Sequence, residues 1–307
     1  MEAIDYTKLL APPGFAPTWR EDLTDEQYHA DKTAIGSGNL RVAMDSLKAF
    51  HGIMFEGRQK KETDEMILGR KIHMAILERE KFKRLHVVEP VFTGMTKDGK
   101  PTTSANATDV KEKRGRWLAE LPSDAVTVTQ DDLEMMIGIA ESIVSHPQGK
   151  DAMKNAVPER AGYYMDPETG LTLKIKPDLI RLDGSVFIDL KSTKDSSTFA
   201  FGKTVYGEQR IDIQLFMYGK GIEAITGKFP KLIMVMAVEK VWPFEVAIYF
   251  YTREMLLQAE TDYHATLGKI RAALDSGHWP MRQQKIQRGH VPEFFIRNSV
   301  EREDVAV

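Results

Sequence analysis

Cysteine is missing altogether from the 307 residues of this chain. That excludes disulfide staples, a thiolate nucleophile and cysteine-ligated zinc or iron–sulfur clusters. Long apolar runs are missing too: no uninterrupted stretch approaches the ~20 residues that a membrane-spanning helix requires. The first residues show no basic stretch followed by an apolar core, the pattern of a secretory leader. A cytoplasmic protein with no membrane partner is therefore expected. An excess of one charge is also absent, since 42 Lys and Arg face 45 Asp and Glu, for a net charge of −3. A protein that coats nucleic acid with its whole surface would be far more basic, but a local basic channel is compatible with this balance. No G-x-S-x-G elbow occurs, so a serine hydrolase of the α/β type is not indicated.

What is present centres on Lys176-Pro177-Asp178 and Asp189-Leu190-Lys191. The segment Leu171 to Leu182 is rich in alternating and β-branched residues and reads as a strand running into Asp183-Gly184, a strong hairpin-turn signal. The segment Ser185 to Lys191 reads as the returning antiparallel strand. Each of Asp178 and Asp189 lies about five residues from the turn, so pairing across it sets them roughly opposite one another. Asp189 and Lys191, two apart on one strand, project from the same face. Two carboxylates held close raise one another's pKa unless a cation neutralises them. Lys191 supplies one cation, and a hard divalent metal suits the oxygen donors. Such a metal can polarise a phosphoryl oxygen and activate water. Lys191 would then position that water or stabilise charge on the phosphate.

Three further features bear on this cluster. Thr63 and Asp64 open a helical apolar pattern in which His73 falls on a largely apolar stretch, either as a hydrogen-bonded core residue or as a ligand. Gln214 and Tyr218, at i and i+4 on one helix face, can both hydrogen-bond to a phosphate or to a carboxylate. Glu159, just before the expected strand Arg160 to Met165, is either another carboxylate of the site or a solvated strand-end charge.

The ordered set His73, Pro177-Asp178, Asp189-x-Lys191 and Gln214-x-x-x-Tyr218 resembles the PD-(D/E)XK nuclease superfamily. More closely it is similar to the RecE type, the exonuclease domain of exodeoxyribonuclease VIII and its phage and prophage relatives. The resemblance extends to Tyr28-His29-Ala30-Asp31, Ser37-Gly38-Asn39-Leu40, Gly69-x-x-x-His73-x-x-x-Leu77-Glu78 and Thr169-Gly170-Leu171-x-x-Lys174-x-Lys176, over roughly two thirds of the chain. It implies an α/β restriction-endonuclease-like core, a mixed β-sheet flanked by helices. It also implies catalytic Mg²⁺, with Mn²⁺ as a substitute, held by His73, Asp178, Asp189 and the backbone carbonyl of Leu190. Lys191 would be the catalytic lysine. Gln214, Tyr218 and Glu159 would contact DNA or support the site. The implied activity is 5′→3′ degradation of double-stranded DNA ends, leaving 3′ single strands for annealing by a RecT-like partner, with the enzyme as a homo-oligomeric ring. An endonuclease or nickase with the same site, or a DNA-binding recombination module, are the alternatives.

Around that centre the chain reads as an arm over residues 1–25, rich in Pro and charge, one domain over 26–280 with a helical N-terminal part, and a tail over 281–307. A helix is expected from Ser37 through Phe50, others over Asp109 to Leu121, Thr129 to Ser145, Glu208 to Ile225 and Arg253 to Leu274, and strands over Leu232 to Val238 and Phe244 to Tyr251. Residues 89–108 form a loop long enough to be either flexible or functional. Basic stretches at Arg58-Gln59-Lys60-Lys61, Lys111 to Arg116 and Arg282 to Arg297 are either solvated faces or DNA contacts. The last of these also carries His290, Phe294 and Phe295.

Overall fold

The segment Val186–Thr193 is the central strand of a five-stranded mixed sheet in the computed structural model, which describes residues 4–59 and 62–282. In chain order, β1 (Thr18–Arg20) precedes helices α1 (Asp25–Ala30), α2 (Ser37–Asp45), α3 (Leu47–Phe55), α4 (Asp64–Leu77) and α5 (Arg79–Leu85). Short strands β2 (His86–Val88), β3 (Gly94–Met95) and β4 (Pro101–Thr102) lead to α6 (Thr108–Glu120), β5 (Val126–Val128), α7 (Gln130–Ser145) and α8 (Gly149–Met153). The strand-rich centre holds β6 (Ala156–Pro158), β7 (Ala161–Met165), β8 (Thr172–Ile175), β9 (Leu179–Arg181) and β10 (Val186–Thr193). Helices α9 (Thr198–Lys203) and α10 (Ile211–Thr226), strands β11 (Leu232–Glu239) and β12 (Val246–Tyr251), and α11 (Leu257–Ser276) complete it.

The main sheet has the order β12-β11-β10-β9-β6, with β10 and β11 parallel and the other pairs antiparallel. Side chains alternate between its faces, as strand geometry requires. Val186, Ile188 and Leu190 enter one core with Ile72 and Ile76 of α4 and Met136, Ile139 and Ile143 of α7. Phe187 enters the other, with Leu40 of α2, Phe50 of α3, Phe216 of α10 and Tyr263 of α11. Helices on both faces of a mixed sheet are the α/β sandwich expected from the order of elements. No helix among the described residues is long and apolar enough to cross a membrane.

Several local signals hold. Thr63 caps α4 through Met66 N–H and Thr129 caps α7 through Asp132 N–H. Between β9 and β10, Gly184 takes φ +68°, a conformation that costs glycine little, and donates to Arg181 O at 2.8 Å. Others do not. The expected strand Leu171 to Leu182 is two strands in two sheets: β8 pairs with β7, whereas β9 pairs with β10 and β6. Pro177, which has no N–H to offer a ladder, sits at the break. The helix expected from Ser37 through Phe50 splits at Ser46, whose extended backbone ends α2 while its hydroxyl accepts from Ala49 N–H to start α3. Gly36, not Ser37, is the N-cap of α2. Helix α10 begins at Ile211 instead of Glu208, because a π-helical turn covers Thr204–Glu208 and Arg210 adopts φ +47°. Part of the 89–108 loop is ordered as the β3–β4 hairpin.

The expected loose lead-in is instead built into the fold. Leu9 is fully buried, Tyr6 packs edge-on against Phe55 at 5.0 Å, and β1 pairs with β7. Of the expected tail, residues from 283 onward lie outside the described residues, and with them His290, Phe294 and Phe295.

Candidate active site

Strand register assembles the site. Pro158 pairs with Leu179, and Leu179 with Ile188. One residue further along both ladders, Glu159 just past β6, Asp178 just before β9 and Asp189 on β10 lie side by side. The pairing continues there, since Glu159 N–H donates to Asp178 O at 3.0 Å. Helix α4, packed against β10, brings in His73. Its Nδ1 lies 3.4 Å from Asp178 Oδ1. Potential ligand atoms of His73, Glu159 and Asp178 all lie within 4.8 Å of one another.

Each carboxylate is held differently. Asp178 Oδ2 accepts from Leu190 N–H at 2.6 Å, so the backbone of Leu190 is at the site through its amide. Burial favours the neutral form of Asp178, but His73, Lys191 and the Leu190 N–H outweigh it and hold the carboxyl below its ordinary value. Asp189 is completely buried; Gln214 Nε2 donates to its Oδ1 at 2.8 Å, and Lys191 Nζ lies 2.5 Å from its Oδ2. That second contact is a close ion pair, in which the ammonium compensates the charge of the buried Oδ2. Burial and the charge of Asp178 push Asp189 upward, against the pull of Lys191. Burial and Asp178 likewise raise Glu159 to about 7. His73 lies above its usual value because the Asp178 carboxylate outweighs the effect of burial.

All seven side chains expected from the sequence are thus accounted for. His73 and Asp178 come together with Glu159, which is a member of the cluster and not a solvated strand end. Asp189 adjoins that group and is engaged by Gln214 and Lys191. Tyr218, on α10 with Gln214, is buried with its ring 6.1 Å from Phe187. Burial and the nearby Asp189 and Asp178 charges raise its pKa. Among the described residues, the basic stretches make no ion pair or hydrogen bond with the cluster. Arg58 pairs with Glu56, Lys113 donates to Thr93 O, Arg114 pairs with Glu89 and Arg282 with Asp45. Lys60 and Lys61 lie outside the described residues.

Four residues near the site, Lys176, Asp25, Lys81 and Arg41, are given no role by the sequence alone. Lys176 reaches back to Glu159 Oε2 at 2.7 Å and also pairs with Asp25 on α1. Lys81 on α5 holds Asp25 at 2.9 Å and Glu78 at 2.9 Å. Arg41 on α2 makes no ion pair among the described residues; its guanidinium donates to Gln209 O at 2.6 Å. Burial lowers its pKa while Tyr218, Asp189 and Asp212 oppose that shift. Only Lys176, one residue before Pro177-Asp178, stood within a quoted motif. The others arrive by tertiary packing.

The donor set fits a divalent cation. It offers one imidazole nitrogen and clustered carboxylate oxygens, and a Glu159 carboxyl raised to about 7 marks an excess of negative charge among them. Acidic residues aligned across adjacent strands, a lysine two positions beyond the last, and a mixed sheet between helix layers define the PD-(D/E)XK nuclease class. Within it, the chain belongs to the family described as a PDDEXK-like domain of unknown function (DUF3799), whose sequence model matches residues 46–289. By fold it is similar to a crystal structure from Eubacterium rectale, of a protein provisionally named an exonuclease. That match has a TM-score of 0.56 and 13% identity over 90% of this chain and 98% of the other. At such identity the likeness shows the fold alone. The crystal structure of SSO0001 aligns over 74% of this chain and 84% of its own at 10% identity, with a TM-score of 0.26, too low to bear on the fold. No curated protein matches by sequence.

Proposed function

We propose that the protein is a metal-dependent exonuclease that degrades double-stranded DNA from 5′ ends, leaving 3′ single strands for recombination by strand annealing. The observation that carries the reading is the register-aligned row Glu159, Asp178, Asp189 with Lys191 held against Asp189. His73, Glu159 and Asp178 would hold the ion, Mg²⁺ or Mn²⁺ in this reading, with Asp189 and the Leu190 carbonyl completing its oxygen donors. Such an ion, when bound, neutralises phosphate charge and lowers the pKa of water.

The chain's own groups do the rest. The Lys191 ammonium, fixed by Asp189, meets the charge that develops on the phosphate as water adds to phosphorus and the P–O bond breaks. Gln214 orients Asp189 and so fixes Lys191 indirectly. Arg41 provides a cation free to meet a backbone phosphate. The RecE-like order of motifs supports the polarity, a ring-shaped homo-oligomer and a RecT-like annealing partner.

Linear duplex labelled at the 5′ or the 3′ end, incubated with Mg²⁺ or EDTA beside covalently closed circles, tests this. Early Mg²⁺-dependent loss of the 5′ label with intact circles is the expected result. Nicked or linearised circles would make the enzyme an endonuclease, and no cleavage with Mg²⁺, or with Mn²⁺ in its place, would leave a binding module.

A further inference from the structure

The end of the sheet beyond Lys191 carries aromatic surface that the hydrolytic site does not use. Strands β10 and β11 run parallel and finish level, Thr193 beside Glu239. Their continuations are tied together, because Ser196 donates from both N–H and Oγ to Glu239 Oε1 at 2.7 and 2.9 Å. From these two strand ends emerge Phe199, 76% exposed, and Trp242, 83% exposed.

The turn that displays Trp242 is firmly held. Phe244, two residues on, seats its ring on Gly138 of α7 so closely that a Cβ there would lie 2.3 Å from it. Phe244 N–H donates to Val241 O at 2.8 Å, and Glu239 N–H to Glu245 O at 2.9 Å. The half-buried Phe244 thus anchors the turn from which the exposed indole projects. Lysines accompany the rings. Lys203 Nζ lies 4.3 Å from the centroid of Phe199. Lys194 and Lys240 follow the strand ends directly, and both lie within electrostatic reach of Glu65 in the first turn of α4. None of the three makes an ion pair among the described residues.

Helix α4 gives the scale. Its Gly69 lies against Ser192 of β10, and its His73 reaches the carboxylate cluster. From Glu65 to His73 the rise of an α-helix amounts to about 12 Å. The aromatic end is thus a few nucleotides from the place of hydrolysis.

We propose that this surface binds single-stranded DNA, with bases stacked on Trp242 and Phe199 and phosphates met by Lys194, Lys203 and Lys240. Aromatic faces stack any base, and free ammonium groups track the backbone, which is the pairing a sequence-tolerant single-strand site needs. The inference rests on the nucleolytic reading for the origin of the strand: a stretch of substrate unpaired next to the cluster. It adds a subsite that holds that stretch open.

The test is anisotropy of a short labelled oligothymidylate titrated with the full chain in EDTA, so that binding is read without turnover. Trp242→Ala should weaken binding by about fivefold or more, Phe199→Ala should weaken it likewise, and Trp242→Phe should restore most of it. Because Trp242 is mostly exposed, the variants should melt with the wild type. Unchanged affinity in the double Ala variant would overturn the proposal. So would a dimer that Trp242→Ala splits without changing oligonucleotide affinity, since the patch would then be an interface between copies. If the wild type cleaves no DNA yet binds the oligonucleotide through Trp242, the subsite stands and the nuclease reading falls. If it cleaves and Trp242 is irrelevant to binding, the reverse holds.

Discussion

Replacing Gln214 by Met removes one hydrogen bond from a carboxylate that has no access to water. Asp189 is completely buried, and Gln214 Nε2 is the only side-chain donor to its Oδ1 among the described residues, at 2.8 Å. A hydrogen bond to a charged group contributes about 1.5–3 kcal/mol. Its loss should lift Asp189, already above its ordinary value, further in the same direction. The sign follows from linkage. A carboxyl raised in the folded state binds its proton more tightly there than in the unfolded chain, so its contribution to stability falls as pH climbs from the unfolded to the folded pKa. Below the ordinary carboxylate range, Asp189 is neutral in both proteins and the Gln214→Met penalty should be small. Above the folded pKa the full ~1.5–3 kcal/mol appears, or about 3–12 °C in Tm at ~2–4 °C per kcal/mol. Thermal melts of both proteins in EDTA, at acidic and at mildly alkaline pH, read this directly. The acid limb of the cleavage rate should move upward in the variant. A Tm difference that is equal at both pH values, or absent, would refute the reasoning.

Asp178→Ala should abolish cleavage with little change in far-UV circular dichroism, because its charge is organised for binding a cation; undiminished cleavage would remove it from the site. Lys191→Ala should still bind DNA but cut ~10²-fold or more slowly if the ammonium meets developing charge, and a wild-type rate would reduce it to a structural ion pair. Burial and the Asp178 charge push the Glu159 carboxyl up to about 7, so Mn²⁺ affinity measured by calorimetry should rise with pH through that region as the carboxylate forms. Glu159→Gln should flatten the rise, and an unaltered profile in that variant would place the titration elsewhere. DNA affinity should fall steeply with added salt as phosphate contacts release counterions; a flat response would argue against Arg41 and the lysines as contacts.

Part of the site was legible because it is local. Asp183-Gly184 makes a turn whose geometry fixes which residues on either side face each other, so Asp178 could be set against Asp189 from spacing alone. Lys191 follows from the period of two along a strand, and its ion pair with Asp189 is a consequence. The caps at Thr63 and Thr129 needed only their own first turns. Reading Leu171 to Leu182 as one strand failed for a different reason. Alternation says that a segment is extended, and Pro177 says where a ladder is interrupted, but neither says that the two halves belong to different sheets.

Glu159 illustrates the same limit. Its strand, β6, reaches β9 only after the chain has left for the β7–β8 hairpin and returned, so no local pattern could place it beside Asp178. The lead-in misled by composition: its prolines and charges resemble a loose arm, yet Leu9 is buried and Asp25 is clamped between Lys176 and Lys81. The sequence by itself determined the hairpin, the starts of α4 and α7 and the ordered motif residues, because turn chemistry, capping and side-chain period act over a few residues. Only the tertiary structure decided that Glu159 joins the cluster, that Asp189 is sealed from water under Gln214, and that Arg41 reaches in from α2. Burial and long-range ion pairs depend on which surfaces meet, and this is settled by how sheets and helices pack against one another.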